Sequence, residues 1–273
     1  MKAFPVFALC IAILVPAGPA SASTLHYGDF GPDFPSGVAI YGDVRESSGT
    51  DPVPPGYYGA PSIGGDELDF DPSGFVAWSA GGNADITDGQ LNLNLDVLRS
   101  NGTVAGGWTS MLIGEAGDYS LTGSGTAATQ LAAGVSVSLD ILEVDGTPVT
   151  PINAFASNSI QRDLVSDGPV VLAPWSNGLL FEFAPILAAN NIDFTFGVTR
   201  AELVIDNQLI AMSEPGSLAF IAKKDFSIGL AGERNDTFVP VPPSIWLFGS
   251  ALLGLIGIAR RRSGPPHVRC DAG

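Results

Sequence analysis

Leu91-Asn92-Leu93-Asn94-Leu95-Asp96-Val97 alternates apolar and polar side chains without a break, and Val135-Ser136-Val137-Ser138-Leu139-Asp140-Ile141 does the same. A period of two places every second side chain on one face, so each run is a strand with one buried and one solvated side. Shorter runs with strand character follow at Tyr119 to Leu121, Leu179 to Phe183, Ile192 to Val198, Ala201 to Ile205, Leu209 to Met212, Leu218 to Ala222 and Phe226 to Leu230. Between them stand turn-forming pairs: Asp88-Gly89, Asn101-Gly102, Asp145-Gly146, Asp167-Gly168, Asn177-Gly178 and Asp206-Asn207. Asn, Asp and Gly tolerate the positive φ that tight hairpins need. No stretch of a dozen residues sustains a helical period, although Pro185 to Asn190 has room for about one helical turn. The expected fold is all-β, an antiparallel β-sandwich of jelly-roll-like type, with a closed barrel as the alternative.

The two ends of the chain have a different character. Lys2 precedes an apolar stretch from Phe4 to Val15, helix breakers Pro16, Gly18 and Pro19, and then Ala20-Ser21-Ala22. This is the three-part pattern of a secretory signal peptide over residues 1–22, with cleavage after Ala22 leaving Ser23 first. At the other end, Val239-Pro240-Val241-Pro242-Pro243 leads into an apolar run and then Arg260-Arg261-Arg262. Ser244 to Ala259 is sixteen residues, about 24 Å as a helix against a hydrocarbon core of about 30 Å. Trp246 suits the interface on one side, and the arginines suit the cytoplasmic headgroups on the other. Gly249, Ser250, Ala251, Gly254 and Gly257 make one side of that helix small, which favours close approach of a neighbouring helix.

Residues 239–262 closely resemble the PEP-CTERM sorting signal of Gram-negative bacteria. The family's proline motif falls on Val239, Pro240 and Pro242, its helix on Trp246 through Ala259, and its basic end on Arg260, Arg261 and Arg262. Glu often stands between the prolines in that family where this chain has Val241, and here a tail of residues 263–273 follows the arginines. The resemblance implies that an exosortase, a membrane-embedded cysteine-type transpeptidase, is a partner. It also implies passage through the inner membrane to the cell envelope, surface or exterior, the membrane being engaged through the helix before processing, and association with exopolysaccharide and biofilm matrix. It covers about a tenth of the chain and leaves the function of residues 23–238 open.

That exported part is expected to be one domain, with a Gly/Pro-rich opening over 23–65 that wraps the sandwich edge as irregular structure or supplies a short first strand, and a polar linker over 232–238. It holds 27 Asp plus Glu against 7 Lys plus Arg, which disfavours nucleic acid and anionic lipid as partners. Both cysteines, Cys10 and Cys270, lie outside it, so no disulfide is available to it despite an oxidising destination. Its 216 residues are enough to bury a core.

Few residues within it point to chemistry. His26 is its one histidine, which leaves no Ser-His-Asp machine and no histidine-rich zinc site. Asp69 and Asp71 share a strand face before Pro72-Ser73-Gly74, an oxygen-rich pairing of the kind Ca²⁺ takes, without the spacing of an EF-hand. No other cofactor is indicated. Trp78, Trp108 and Trp175 are candidates for stacking against sugar rings. Glu143, Glu182 and Glu202 are the acids a polysaccharide hydrolase or lyase would need. The sequence reading favours a non-enzymatic matrix protein that binds glycan or calcium, with that carboxylate enzyme as the alternative.

Overall fold

The computed structural model describes residues 24–49 and 56–235. The signal peptide with Ala20, Ala22 and Ser23, the sorting motif from Val239 to Arg262, and both cysteines lie outside the described residues. Among the described residues no helix is long and apolar enough to cross a membrane.

Strands dominate. In chain order they are β1 (Thr24–Phe30), β2 (Ala39–Ser47), β3 (Ser62–Gly64), β4 (Glu67–Phe70), β5 (Val76–Ala80), β6 (Ala84–Val97) and β7 (Arg99–Ser100). Then come β8 (Thr103–Val104), β9 (Gly106–Gly123), β10 (Gln130–Val144), β11 (Thr147–Asp163), β12 (Val170–Glu182), β13 (Val198–Met212) and β14 (Ser217–Arg234). A short helix, α1 (Phe183–Ala189), covers the expected helical turn, with Phe183 and Leu187 buried.

Every pairing is antiparallel, and twelve strands make one large, nearly closed sheet. Two runs of strands compose it. One is β1-β2-β6-β13-β10-β11, and the other is β12-β9-β14 continuing through β4 to β3, with β5 also on β14. A single bridge, Val198 to Trp108, joins β13 to β9. The free edges of β11 and β12 approach each other, and there Asn158 Nδ2 donates to Gly178 O at 2.9 Å in place of a backbone ladder.

Alternation fixes which face is inside. Leu91, Leu93, Leu95 and Val97 of β6 are buried, as are Val135, Val137, Leu139 and Ile141 of β10 and Leu203, Ile205 and Leu209 of β13. Burying each such side chain is worth about 1.5–3 kcal/mol, and a one-residue slip would turn the whole set to solvent. From the other run come Ile113, Leu121, Ile221, Phe226 and Ile228. Tyr58, Phe70, Phe75 and Phe226 meet edge to face in one cluster, with centroids 5.2 to 5.8 Å apart.

Several expectations are corrected. The described part of the opening segment supplies three strands, β1, β2 and β3, where irregular structure or one short strand was expected. Its alternation was hidden by Asp43, whose φ of 51° and whose irregular pairing with β6 shift the inward positions from Ala39 and Tyr41 to Val44 and Glu46. Such a bulge breaks a period-two pattern without ending the strand. Gly232 to Arg234, expected as the start of a linker, belong to β14, and Arg234 Nη1 donates to Pro35 O at 2.5 Å. Asn101-Gly102 and Asp145-Gly146 do turn the chain, both with positive φ. Asp88-Gly89, Asn177-Gly178 and Asp206-Asn207 do not, and lie inside β6, β12 and β13. A Cβ on Gly89 would stand 2.7 Å from Phe75 Cε2, so this glycine serves close packing rather than a turn.

Candidate functional site

Two places in the fold gather polar side chains, one outside and one inside. The outer one follows from the solvated half of the alternation. Asp88, Gln90, Asn92, Asn94 and Asp96 point outward from β6, and Glu202, Val204, Asp206 and Gln208 do so from β13. At about 3.3 Å per residue, positions 88 to 96 extend over roughly 26 Å.

Three depressions succeed one another along this pair. The largest, about 580 Å³, lies over Asp88, Asp206 and Gln208 and widens across Gly134 and Ser136 of β10 to Ser157 and Ser159 of β11. The next, about 300 Å³, is lined by Asn92, Asn94, Glu202 and Arg45. The last, about 310 Å³, shares Asn94 and Glu202 and ends at Asp96 and Arg200. Gln90 Nε2 donates to Asp206 Oδ1 at 2.7 Å, and Asn92 Nδ2 to Gln90 Oε1 at 3.2 Å, so the amides on the floor are held in place. Gly134 leaves the widest part open, since a Cβ there would touch only Ser159 and Asn158 O at the limit of contact. Phe155, 66% exposed, stands opposite Ser138 on the outer strand β11. This trough can hydrogen-bond a long, hydroxyl-rich ligand from amides, carboxylates and hydroxyls while one ring stacks at its margin.

The tryptophan platform is not assembled. Trp108 is 1% and Trp175 4% exposed, and Trp175 Nε1 donates to Ala222 O at 3.1 Å inside the core. Trp78 is outward on β5 and 54% exposed, with its backbone N–H bound to Asp85 Oδ2. Large aromatic side chains at inward strand positions are core, and the phase of the alternation decided this for Trp108 and Trp175. Phe155 was missed because a lone aromatic within a polar run carries no periodic signature.

Asp69 is outward on β4, with Leu68 and Phe70 buried on either side as the pattern requires. Partial burial and the charges of Asp225, Asp71 and Glu67 push its carboxyl pKa up. Among the described residues, no three His, Cys, Asp or Glu side chains converge in a way that could hold a metal ion. His26 is exposed on β1, 3.8 Å from Asp43.

The three acids of the enzyme alternative have different surroundings. Glu202 lines the trough. Glu182 is on β12 opposite Ser110, in the other run of strands. Glu143 is buried, 2.5 Å from Arg99 Nη2 and 3.9 Å from Arg200 Nη2, and accepts a hydrogen bond from Thr199 Oγ1 at 2.8 Å. Burial alone would raise its pKa, but these hydrogen bonds and guanidinium charges outweigh it and hold the carboxyl below its ordinary range. A general acid for glycoside cleavage needs the opposite shift.

The inner cluster went unnoticed in the sequence. Lys223 of β14 and Glu115 of β9 have fully buried side chains, with Lys223 Nζ 2.5 Å from Glu115 Oε2. Lys223 Nζ also donates to Asn207 Oδ1, from β13. Glu115 Oε1 accepts from Asn177 Nδ2 of β12 at 2.8 Å. Aromatic faces enclose the amine: Nζ is 4.7 Å from the Phe75 centroid, 5.2 Å from Phe226 and 5.8 Å from Tyr58. Burial pushes the Lys223 amine pKa down against the pull of Glu115, and burial with the Glu115 charge pushes the Tyr58 hydroxyl up. The buried Asn207 side chain hydrogen-bonds the Tyr58 hydroxyl, which opposes that rise. The sequence did carry a clue, because Asn207 interrupts the inward series Leu203, Ile205, Leu209, Ala211, and Lys223 follows the inward Ala219 and Ile221.

No protein-family model and no curated protein sequence matches this chain. Among solved structures, it is similar to the enzymatically active domain of tailspike protein 4 of bacteriophage CBA120, at 14% identity and a TM-score of 0.14, over 57% of this chain and 19% of that one. The chain thus spans about a fifth of the length of that structure. So low a score carries no argument about fold or activity.

Proposed function

We propose that this is an exported, non-enzymatic protein of the cell envelope or extracellular matrix, sorted by an exosortase through residues 239–262, that binds exopolysaccharide along the trough over β6 and β13. On this reading the β-rich domain is a jelly-roll-like sandwich whose solvated face is the binding surface. The observation that carries it is the array of outward Asp, Asn, Gln and Glu side chains on β6 and β13, interrupted by Val204, with three depressions along that strand pair. The tripartite tail supports the sorting, and the lack of cysteine in residues 23–238 is compatible with export of a domain that relies on its core. Calcium at Asp69 and Asp71 is secondary to glycan in this reading, since only their shared acidic surroundings favour it.

The test uses protein recovered from outside the producing cells. Its intact mass should start at Ser23 and lack Trp246 to Gly273. It should bind the producer's own polysaccharide, and Asn92→Ala with Asn94→Ala should weaken binding by about tenfold or more, two lost hydrogen bonds being worth on the order of 2 kcal/mol. Binding unchanged in that variant would remove the trough from the proposal. Release of reducing ends that disappears in Glu202→Gln would replace it with the polysaccharide-cleaving alternative.

A further inference from the structure

Lys223, Asn207 and Glu115 are far apart in the chain and meet in a dry pocket walled by Tyr58, Phe75 and Phe226. We propose that this trio forms an intramolecular amide bond between Lys223 Nζ and Asn207 Cγ, with Glu115 as the proton-transferring acid. The inference rests on the buried geometry and not on the glycan reading.

Each part of the reaction has its residue. A lysine ammonium and a carboxylate without water are both disfavoured, so one proton passes from Lys223 to Glu115 and leaves a free amine beside a carboxylic acid. A desolvated, neutral lysine is a nucleophile. Its Nζ already touches the side-chain amide of Asn207 at Oδ1, the oxygen bonded to the carbon it would attack. Glu115 Oε2 lies 2.5 Å from the same Nζ that contacts Asn207 Oδ1, so the acid, once protonated, stands beside the carbonyl oxygen it would polarise. The Nζ–Cγ bond forms and the Cγ–Nδ2 bond breaks. From the amine and acid, Glu115 gives its proton to Nδ2 and takes one from Nζ, ammonia leaves the carbon, and it carries off the remaining Glu115 proton as ammonium, which returns Glu115 to the carboxylate. No oxidant or co-reactant is required.

Two further features fit this chemistry. Asn207 is buried at 1% exposure, and its side chain meets the Tyr58 hydroxyl as well as Nζ, so the group that would depart is held in the same pocket. The glutamate is oriented from behind by Asn177 Nδ2, which occupies Oε1 and leaves Oε2 to face the amine. The product ties β13, in the run with β6 and β10, to β14, in the run with β9. It would thus cross the core as a covalent link where residues 23–238 offer no cysteine for a disulfide.

Peptide mass spectrometry on the purified full chain tests it. Trypsin should fail to cut after Lys223 and should release Ala201 to Lys224 lighter by one ammonia. Chymotrypsin, which cuts after Phe220, should leave the Asn207 and Lys223 peptides joined. Cyclisation of Asn207 onto its own backbone also loses ammonia but joins no peptides and survives in Lys223→Met, so that result would overturn the bond. A join between Lys223 and Glu115 with loss of water would overturn the assignment to Asn207. In Glu115→Gln, which keeps the shape of the pocket, the bond should form about a hundredfold more slowly or less, the usual worth of a positioned acid. Separate peptides of unaltered mass from a parent protein that resists proteolysis as a folded domain would reject the proposal.

Discussion

Among the described residues, two carboxylates are buried beside cations, and their neighbourhoods differ. Glu115 meets a lysine whose side chain has no access to water, between aromatic rings. Glu143 meets two arginines, Arg99 and Arg200, that keep 31% and 43% of their side chains in solvent. A guanidinium stays charged and can reach water from a buried stem, so the Glu143 cluster works as an ordinary ion pair. A lysine without water gives up its charge more readily, so the same acid–base pairing becomes a reactive one. What separates an ion pair from a reactive pair here is the choice of cation and its access to solvent.

The comparison can be broken at its dry end first. Glu115→Ala removes the acid paired with Lys223, leaves the buried Lys223 amine and Asn177 Nδ2 without that partner, and is expected to cost about 2–4 kcal/mol, read as a lower urea midpoint. A loss no greater than that of Glu143→Gln would show the two clusters to be equivalent.

At the wet end, Glu143→Gln should cost less, about 1–3 kcal/mol at neutral pH, because it weakens hydrogen bonds to charged groups. Its pH dependence has a definite sign. The folded pKa of Glu143 is held below that of the unfolded chain, so it contributes stability above the unfolded carboxylate range and loses it as pH falls through the folded value. Urea midpoints from neutral pH down to about pH 3 should therefore fall less steeply in Glu143→Gln than in the parent. Glu46 carries the opposite sign, since burial first of all raises its pKa and the stability it gives is lost as pH rises through that value. An equal acid slope in parent and variant would mean that Glu143 is not the group titrating there. The smallest effect belongs to Arg200→Ala, which removes a long, half-exposed contact at 3.9 Å and should change stability by about 0.5 kcal/mol or less.

The strands around Leu91 to Val97 and Val135 to Ile141 were legible because their alternation runs unbroken. The outward face of β6 and β13 follows from the same alternation, although which outward residues become neighbours depends on register. Local sequence failed where one dipeptide serves two purposes. Asp88-Gly89, Asn177-Gly178 and Asp206-Asn207 have the composition of turns, yet Gly89 makes room for Phe75 and Tyr58, Asn177 holds Glu115, and Asn207 meets Lys223. All three surround the inner cluster. Its members come from four different strands, so no spacing along the chain announces it. The tryptophans show the converse error, in which residue type was weighed without the phase that buries Trp108 and Trp175.

Strand β14 is the last of the described strands, and it is also internal to its sheet: β9 runs along its length, with β4 and β5 on the other side. It brings Ile221, Lys223, Phe226 and Ile228 into the core. A ribosome that still holds residues 217–234 therefore holds the keystone. Until they emerge, β9 lacks its longest neighbour and the aromatic pocket lacks a wall, so the domain is assembled once its last strand is free rather than piecemeal along the way.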